Sequence, residues 1–319
     1  MALLVMNPGV LSTIQDAGRR GYLGSGFSPS GAMDLRAYRR GNALLGNRPG
    51  VASLEFCLMG PTLRFTRDTY CVLTGGDFGA KLDGESVAVG HTVMVRRGQE
   101  LKLGRAERGM YGYLAVTGGF DEPVVMNSRS TNLKCGVGGH GGRALVTGDI
   151  LWAAEQIPGY RPGIAGRAYP SDDAFYQFGS PVVELRVVLG PQEQLFTEEG
   201  IRTFLTQEFE TTSQSDRMGA RLEGPKVATV AGSDIVSDGI AFGAVQIPNH
   251  GKPIIMLADR QTTGGYAKIA TVASVDIPKL VQCKPGTKVR FTQVSVEEAQ
   301  ELLREDYAAE ARLIEEIRA

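Results

Sequence analysis

The chain has 319 residues, 42% of them hydrophobic and 22% charged, with a formal net charge of −1 at pH 7. These are globular proportions, with length enough for two domains or one large one, and the balanced charge gives no global field favouring nucleic acid or an anionic membrane. Glycine supplies 42 residues, about 13% against a usual ~7%, which excludes a helical bundle because glycine interrupts helices and serves turns and close backbone approaches.

Taken in chain order, residues 1–11 alternate as a first strand and lack the basic region and cleavage site of a signal peptide. Residues 34–45 predict a helix, with Asp34 suited to its N-cap, Leu35, Tyr38 and Leu45 on its inner face and Gly46 as its C-cap. Short strands follow at 53–59, 62–65, 70–74, 92–95, 100–103 and 110–116, a recurrence of about 8–12 residues that belongs to sandwiches and barrels. Asp83-Gly84, between residues 81–82 and 87–89, is a hairpin signal because both residue types tolerate positive φ. Residues 143–147 read as a strand.

The stretch 159–180, rich in proline, glycine and aromatic residues, has no periodicity and is the expected inter-domain connection. Beyond it the pattern predicts a strand at 182–189, a helix at 192–205, and strands at 219–222, 241–247, 254–257 and 288–292. A terminal helix is opened by a Ser295/Glu298 capping box and carries Leu303, Tyr307, Ile314 and Ile317 on one stripe. The expected fold is mainly β with a few helices, a β-rich α+β protein in two lobes. These are an N-terminal β-rich lobe over 1–180 and a C-terminal barrel lobe with the terminal helix over 181–319.

The strongest apolar run, residues 254–258, is far too short to span a bilayer. Cys57, Cys71, Cys135 and Cys283 are dispersed, and His91, His140 and His250 are not at metal-ligand spacing. No metal site is expected, and a reduced cytoplasmic compartment is the simplest setting.

Familiar catalytic templates are missing: there is no G-x-x-x-x-G-K-[ST], no G-x-S-x-G and no H-E-x-x-H. Gly136, Gly138 and Gly141 satisfy G-x-G-x-x-G, but residues reading as a strand follow, so the reading is a glycine-rich turn rather than a dinucleotide site. Three polar segments stand out. Residues 13–34 hold Gln15, Asp16, Arg19, Ser30 and Asp34, and residues 215–225 hold Asp216, Arg217 and Arg221. Residues 257–271 set Asp259, Arg260, Gln261, Thr262, Thr263, Tyr266 and Lys268 around Gly264-Gly265. Glycine beside polar side chains lets backbone N–H groups approach a ligand, as in anion and amide sites. Each segment equally suits a capped turn with internal ion pairs.

These segments, with GPTLRF at residues 60–65, YLAVTGGFDEPVVMNSRST at 113–131 and GAVQIPNHGKPIIMLADRQTTGGYAKIATV at 243–272, resemble the biotin-dependent carboxyltransferase family, also called the allophanate hydrolase subunit 2 family. The similarity runs from about residue 8 to 294. It implies cyclophilin-like barrels, a smaller partner resembling a kinase-inhibitor protein and a third subunit of lactam-utilisation type. Members include subunits of ATP-dependent 5-oxoprolinase, which couples ATP hydrolysis to opening of 5-oxoproline to glutamate. Others form the carboxyltransferase portion of urea carboxylase, and one branch is linked to antagonism of a histidine-kinase inhibitor.

The chain has no biotin-acceptor M-K-M sequence, which tilts the expectation toward a separate 5-oxoprolinase subunit acting on a small lactam or amide. ATP is then engaged through the complex, and biotin enters only in the carboxyltransferase alternative. A binding or regulatory subunit without catalytic groups is the third alternative.

On the resemblance, Asp259 is the acid/base candidate, with Arg217 and Lys268 binding the developing anion. Gln261, Thr263 and the Gly264 and Gly265 amides would hold the substrate's carboxylate or amide, and Tyr266 would close the pocket. Gln15, Arg19 and Asp34 would complete the site from the first lobe, with Ser128 and Arg129 as a further pair. Plainer roles stay open: Asp34 as a helix cap, Arg217 as a turn tie, and Asp259 with Arg260 as a local ion pair.

Overall fold

The computed structural model describes residues 2–154 and 163–318. They form two compact units, one of Met1–Arg20, Ser30–Asp172 and Glu310–Ala319, the other of Gly21–Pro29 and Asp173–Ala309. Residues 155–162, which include 159–162 of the expected connection, lie outside the described residues.

The first unit contains β1 (Ala2–Asn7), β2 (Leu11–Gln15), α1 (Leu35–Leu44), β3 (Ser53–Cys57), β4 (Thr62–Phe65), β5 (Thr69–Asp77), β6 (Lys81–Leu82), β7 (Glu85–Ser86), β8 (Thr92–Val95), β9 (Glu100–Lys102), β10 (Arg108–Val116) and β11 (Ile150–Trp152). The strands make a six-stranded sheet in the order β11-β1-β4-β9-β6-β7 and a five-stranded sheet in the order β2-β3-β10-β5-β8. Period-two side chains from both sheets, among them Leu3, Val5, Leu63 and Phe65 from one and Ile14, Leu54, Phe56 and Leu114 from the other, share one core. The helix α1 packs on β5 and β10. Asp34 caps it, its carboxylate accepting from the Ala37 N–H at 2.9 Å.

Two expectations change here. Residues 1–11 are not one strand: Pro8-Gly9 turns the chain, Gly9 taking φ +72°, and β1 and β2 enter different sheets. Residues 143–147 are not a strand. Asp149 draws them into a loop by accepting both Arg143 guanidinium nitrogens at 2.7 Å and the Val146 N–H at 2.8 Å. Asp83 and Gly84 do form the two-residue hairpin, with φ +49° and +96°, although its strands pair Leu82 with Glu85 rather than with residues 87–89.

The second unit holds α2 (Asp173–Tyr176), β12 (Val182–Leu189), α3 (Glu198–Thr206), β13 (Phe209–Thr211), β14 (Gly219–Glu223), β15 (Asp234–Gly239), β16 (Ala244–Gln246), β17 (Ile254–Met256), β18 (Thr263–Tyr266), β19 (Lys268–Val272), α4 (Ile277–Val281), β20 (Lys288–Gln293) and most of α5 (Val296–Arg318). Seven strands close a barrel in the order β12-β19-β16-β17-β14-β13-β20, and β15 pairs with β18 as a separate ribbon. Val183, Leu185 and Val187 of β12 alternate inward. Phe204 of α3 stacks on Phe291 at 4.3 Å between ring centroids, with Phe209 beside them.

The predicted helix at 192–205 starts later, because Thr197 provides the cap by accepting from the Gly200 N–H at 2.9 Å. The polar segment 257–271, which equally suited a capped turn, contains β18 and β19, so Gly264 and Gly265 sit in extended backbone. The α5 capping box is present: the Ser295 N–H donates to Glu298 at 2.7 Å and the Glu298 N–H to Ser295 at 3.1 Å. In its last turns Leu313 and Ile317 pack against Leu44, Leu45 and Val72 of the first unit, whereas Tyr307 is exposed.

Asp276 ties β12 to the segment after β19. Fully buried, it accepts from the Arg186 N–H, Nε and Nη2 at 2.6–2.8 Å and from Lys279 Nζ at 2.8 Å. Burial alone would raise its pKa, but the Arg186 and Lys279 hydrogen bonds overcome this and hold it below the ordinary carboxylate value. Its contribution to stability is therefore complete above the unfolded pKa of about 3.9 and is lost as pH falls through the lower folded value. Asp276→Asn should cost about 3 kcal/mol near neutral pH, a deficit that narrows in urea titrations below about pH 4.

Gly138 offers a second test. It has φ +71°, and a Cβ there would overlap the Ser130 carbonyl and approach Arg19 Nη2 at 2.6 Å, whereas Gly141, at φ +65°, has open space around it. Gly138→Ala should therefore lower the melting temperature clearly more than Gly141→Ala, which carries only the backbone cost of about 1 kcal/mol.

Candidate functional site

In the second unit the polar residues gather where β17 ends. The Leu257 N–H donates to the Met218 carbonyl at 2.9 Å and the Asp259 N–H to the Arg217 carbonyl at 2.8 Å, which extends the β14–β17 pairing into the tight turn at 257–260. Asp259 and Arg217, each 5% exposed, form a bidentate pair: Nε meets Oδ2 at 2.8 Å and Nη2 meets Oδ1 at 3.2 Å. The expected acid/base and the expected anion binder are thus partners of each other. Asp216 orients the same region, its Oδ1 taking the Met218 and Gly219 N–H groups at 2.8 and 3.1 Å.

Arg260 does not pair with its neighbour Asp259. It is 5% exposed, and among the described residues its guanidinium meets neutral groups: the Ile240 carbonyl at 2.9 Å, the Leu257 carbonyl at 3.4 Å and the face of Phe242, 5.6 Å from the ring centroid. Burial in the absence of a compensating carboxylate pulls its pKa below the ordinary arginine value. Gln246 is also buried, and its Nε2 has no hydrogen-bond partner among the described residues. It borders the apolar cluster of Ile240, Ala244 and Met256. Gly264 is closely packed: a Cβ at that position would lie 2.7 Å from Ile240 Cδ1 and 3.0 Å from Gln246 Nε2, so both side chains rest against its backbone.

Lys268, buried at the start of β19, reaches Asp238 at 3.1 Å. That hydrogen bond, with the Gly239 N–H, holds the exposed Asp238 carboxyl below its ordinary value. Gln192 joins the group, donating to Asp238 at 3.3 Å and accepting the Lys268 N–H at 3.0 Å. Gln261 and Tyr266 are exposed, as is Thr263, on or beside the β18 strand, with Gly264 and Gly265 half-buried between them.

In the first unit Gln15, Arg19, Ser128 and Arg129 surround a residue outside the predicted set, Asp16. Its Oδ1 accepts from the Gly18 N–H and from the Ser128 and Ser130 hydroxyls at 2.6–2.8 Å, and its Oδ2 from the Arg129 N–H at 2.6 Å. Arg19 is fully buried and donates to the Val125 and Ser130 carbonyls at 3.1 and 2.9 Å. The Arg129 guanidinium turns to Asp121 at 3.3 Å, so this residue enters the cluster through its backbone. Gln15 donates to Thr13 and to the Thr131 carbonyl.

Asp34, beyond capping α1, donates its N–H to the Tyr113 hydroxyl at 2.8 Å, and that hydroxyl donates to Glu55 at 2.7 Å. Burial and then the nearby Glu55 and Asp34 charges push the Tyr113 pKa well above its ordinary value, so it stays a donor.

Sequence reasoning did not single out Gln246 or assign Arg260 a ligand role. A signal for each was present. Gln246 is one amide between Val245 and Ile247, and the segments containing Arg217, Asp259 and Arg260 place two arginines against one buried carboxylate. No group of three or more His, Cys, Asp or Glu able to hold a metal occurs among the described residues. No helix among them is long and apolar enough to cross a membrane.

The chain is 40% identical over 296 residues to a 5-oxoprolinase subunit of Haemophilus influenzae, covering 92% of each chain. It is 37% identical over 297 residues to a 5-oxoprolinase subunit of Escherichia coli, covering 93% of each. The crystal structure of Kluyveromyces lactis urea carboxylase superposes with a TM-score of 0.86 at 29% identity, over 99% of this chain and 29% of that one. Residues 25–293 match the family model for the carboxyltransferase domain, subdomain A and B, and the chain belongs to that family.

Proposed function

We propose that the chain is a subunit of an ATP-dependent 5-oxoprolinase, converting 5-oxoproline, ATP and water to glutamate, ADP and phosphate. It would act with a small kinase-inhibitor-like subunit and a lactam-utilisation-type subunit. The observation that carries this reading is the near full-length match, in both chains, to relatives named as 5-oxoprolinase subunits. A second reading, the carboxyltransferase part of a biotin-dependent urea or amide carboxylase, is favoured by the superposition on urea carboxylase over 99% of this chain.

A lactam carbonyl is a poor electrophile, so opening it requires donors for the oxygen as negative charge develops and a group that steers water. Lys268 is the cation for this role, because its Asp238 partner is exposed and can yield it to a substrate. Asp259 and Arg217 neutralise each other, and we assign them to holding the turn that presents Arg260, rather than to proton transfer. The glycine loop around Gly138 folds against Ser130 and Thr131 instead of opening a helix N-terminus, so it lacks the usual phosphate cradle. ATP is assigned to the assembly as part of the 5-oxoprolinase reading. Biotin belongs only to the second reading.

Reconstitution with the two partner subunits, omitting each in turn, tests the function: 5-oxoproline-dependent phosphate release should require this chain. Release that is undiminished in its absence would refute the reading, and carboxylation of urea by an assembly with a biotin protein would establish the alternative. Lys268→Met should reduce kcat/KM at least tenfold while shifting stability little, because its ion pair ends on an exposed carboxylate. Asp259→Ala should act the other way, destabilising the chain by about 3–5 kcal/mol in urea unfolding by removing the carboxylate that neutralises the buried Arg217.

A further inference from the structure

Lys268 and Asp238 form an ion pair whose two ends sit in different surroundings. The lysine side chain, at the start of β19, is 3% exposed, whereas the aspartate side chain, on β15, is 56% exposed. An ammonium removed from water needs an anion beside it, so Lys268 depends on the pair. A carboxylate already in contact with solvent is hydrated when released, so Asp238 does not. The elements that carry the two groups differ in the same way. Strand β19 is part of the closed barrel, between β12 and β16, while β15 belongs to the separate two-stranded ribbon. Five of the six β15 residues are exposed, Val236 at 92%. A segment that buries so little apolar surface opens at low free-energy cost.

Among the described residues, the side-chain hydrogen bonds that tie β15 to the barrel unit lie at its two ends. Asn249 Nδ2 donates to Asp234 Oδ2 at 2.8 Å. At the other end Lys268 Nζ and Gln192 Nε2 both donate to Asp238 Oδ2, at 3.1 and 3.3 Å. The Gln192 Oε1 accepts the Lys268 N–H at 3.0 Å, so one amide joins the carboxylate to the strand that carries the cation. Asp238 Oδ1 takes the Gly239 N–H at 2.7 Å. The Oδ2 position therefore holds an oxygen between a buried ammonium and an amide donor, the arrangement that a bound carboxylate would require.

We propose that Asp238 is an internal stand-in for an anionic ligand, an autoinhibitory carboxylate that occupies the Lys268 ammonium and is displaced when a small carboxylate binds. Gln192 is the positioning residue that holds Asp238 there. The exchange keeps the buried ammonium paired in both states, and its released partner is the one group of the pair that water already reaches. An internal competitor that fills the position about nine-tenths of the time weakens ligand binding roughly tenfold. The proposal rests on the assignment of Lys268 to anion binding in the 5-oxoprolinase reading and adds to it the contact that regulates access to that cation.

Loss of a structural tie weakens ligand binding or leaves it unchanged, whereas loss of a competitor strengthens it, so the sign of one substitution decides. In calorimetric titrations of the full chain with 5-oxoproline and with acetate, Asp238→Asn, which keeps the shape and removes the charge, should bind both about tenfold more tightly than wild type. The gain should vanish in the double variant Asp238→Asn/Lys268→Met. Equal or weaker binding by Asp238→Asn, or a gain that survives the loss of Lys268, would overturn the proposal. Hydrogen exchange reads the displacement itself: saturating 5-oxoproline should speed exchange of the β15 amides in the wild type, and unchanged or slower exchange there would also overturn it. The two readings fail separately. An assembly that opens no 5-oxoproline, with carboxylate binding tightened by Asp238→Asn, sinks the enzymatic reading alone. An active assembly whose KM for 5-oxoproline does not fall with Asp238→Asn sinks the stand-in alone.

Discussion

Two buried arginines compete for one buried carboxylate at the end of β17, and much of the second unit's chemistry follows from how that competition is resolved. Removing a guanidinium and a carboxylate from water is costly unless they meet with good geometry. Arg217 meets Asp259 through two nitrogens, reinforced by backbone hydrogen bonds on either side. The carboxylate is then committed, and the adjacent Arg260 is left with carbonyl oxygens and an aromatic face. Sequence adjacency would join Asp259 to Arg260. The turn separates them because the pairing runs across strands, from residue 217 to residue 259.

The polar cluster of the first unit has the opposite character. Asp16 receives four donors from Gly18, Ser128, Arg129 and Ser130, about the full capacity of a carboxylate. A carboxylate satisfied to this degree fixes the backbone around it and has little capacity left for a ligand. Gly138 belongs to the same arrangement, since its lack of a Cβ lets the glycine loop lie directly on the Ser130 carbonyl. Density of polar residues in the sequence therefore does not by itself mark a site: around Asp16 most of it goes into holding the backbone.

The β-rich character, most strand positions and three capping or turn devices were legible in the sequence. Asp34, Asp83-Gly84 and the Ser295/Glu298 box act within a few residues of themselves, so their physics is local. What was not legible is long-range. The ribbon of β15 and β18 depends on pairing Asp238 with Gly264, and two adjacent glycines carry no β signal of their own. The loop at 143–147 depends on Asp149 capturing Arg143, a choice invisible in an alternating pattern. In the candidate site the residue types were recognised as apt for anions, while the assignment of partners needed the fold. The identity of the donors left unused could not be read from spacing.

The barrel's closure sets an order of events on the ribosome. Its seam is the parallel pairing of β12 with β20, from Val182 with Lys288 to Val187 with Gln293, strands that lie roughly a hundred residues apart. The cylinder cannot seal until β20, the last of its strands in the sequence, has been synthesised. The first unit also borrows the final turns of α5, where Leu313 and Ile317 cover its second apolar cluster. Each unit therefore depends on segments distant in sequence, the barrel on β20 and the first unit on the last turns of α5.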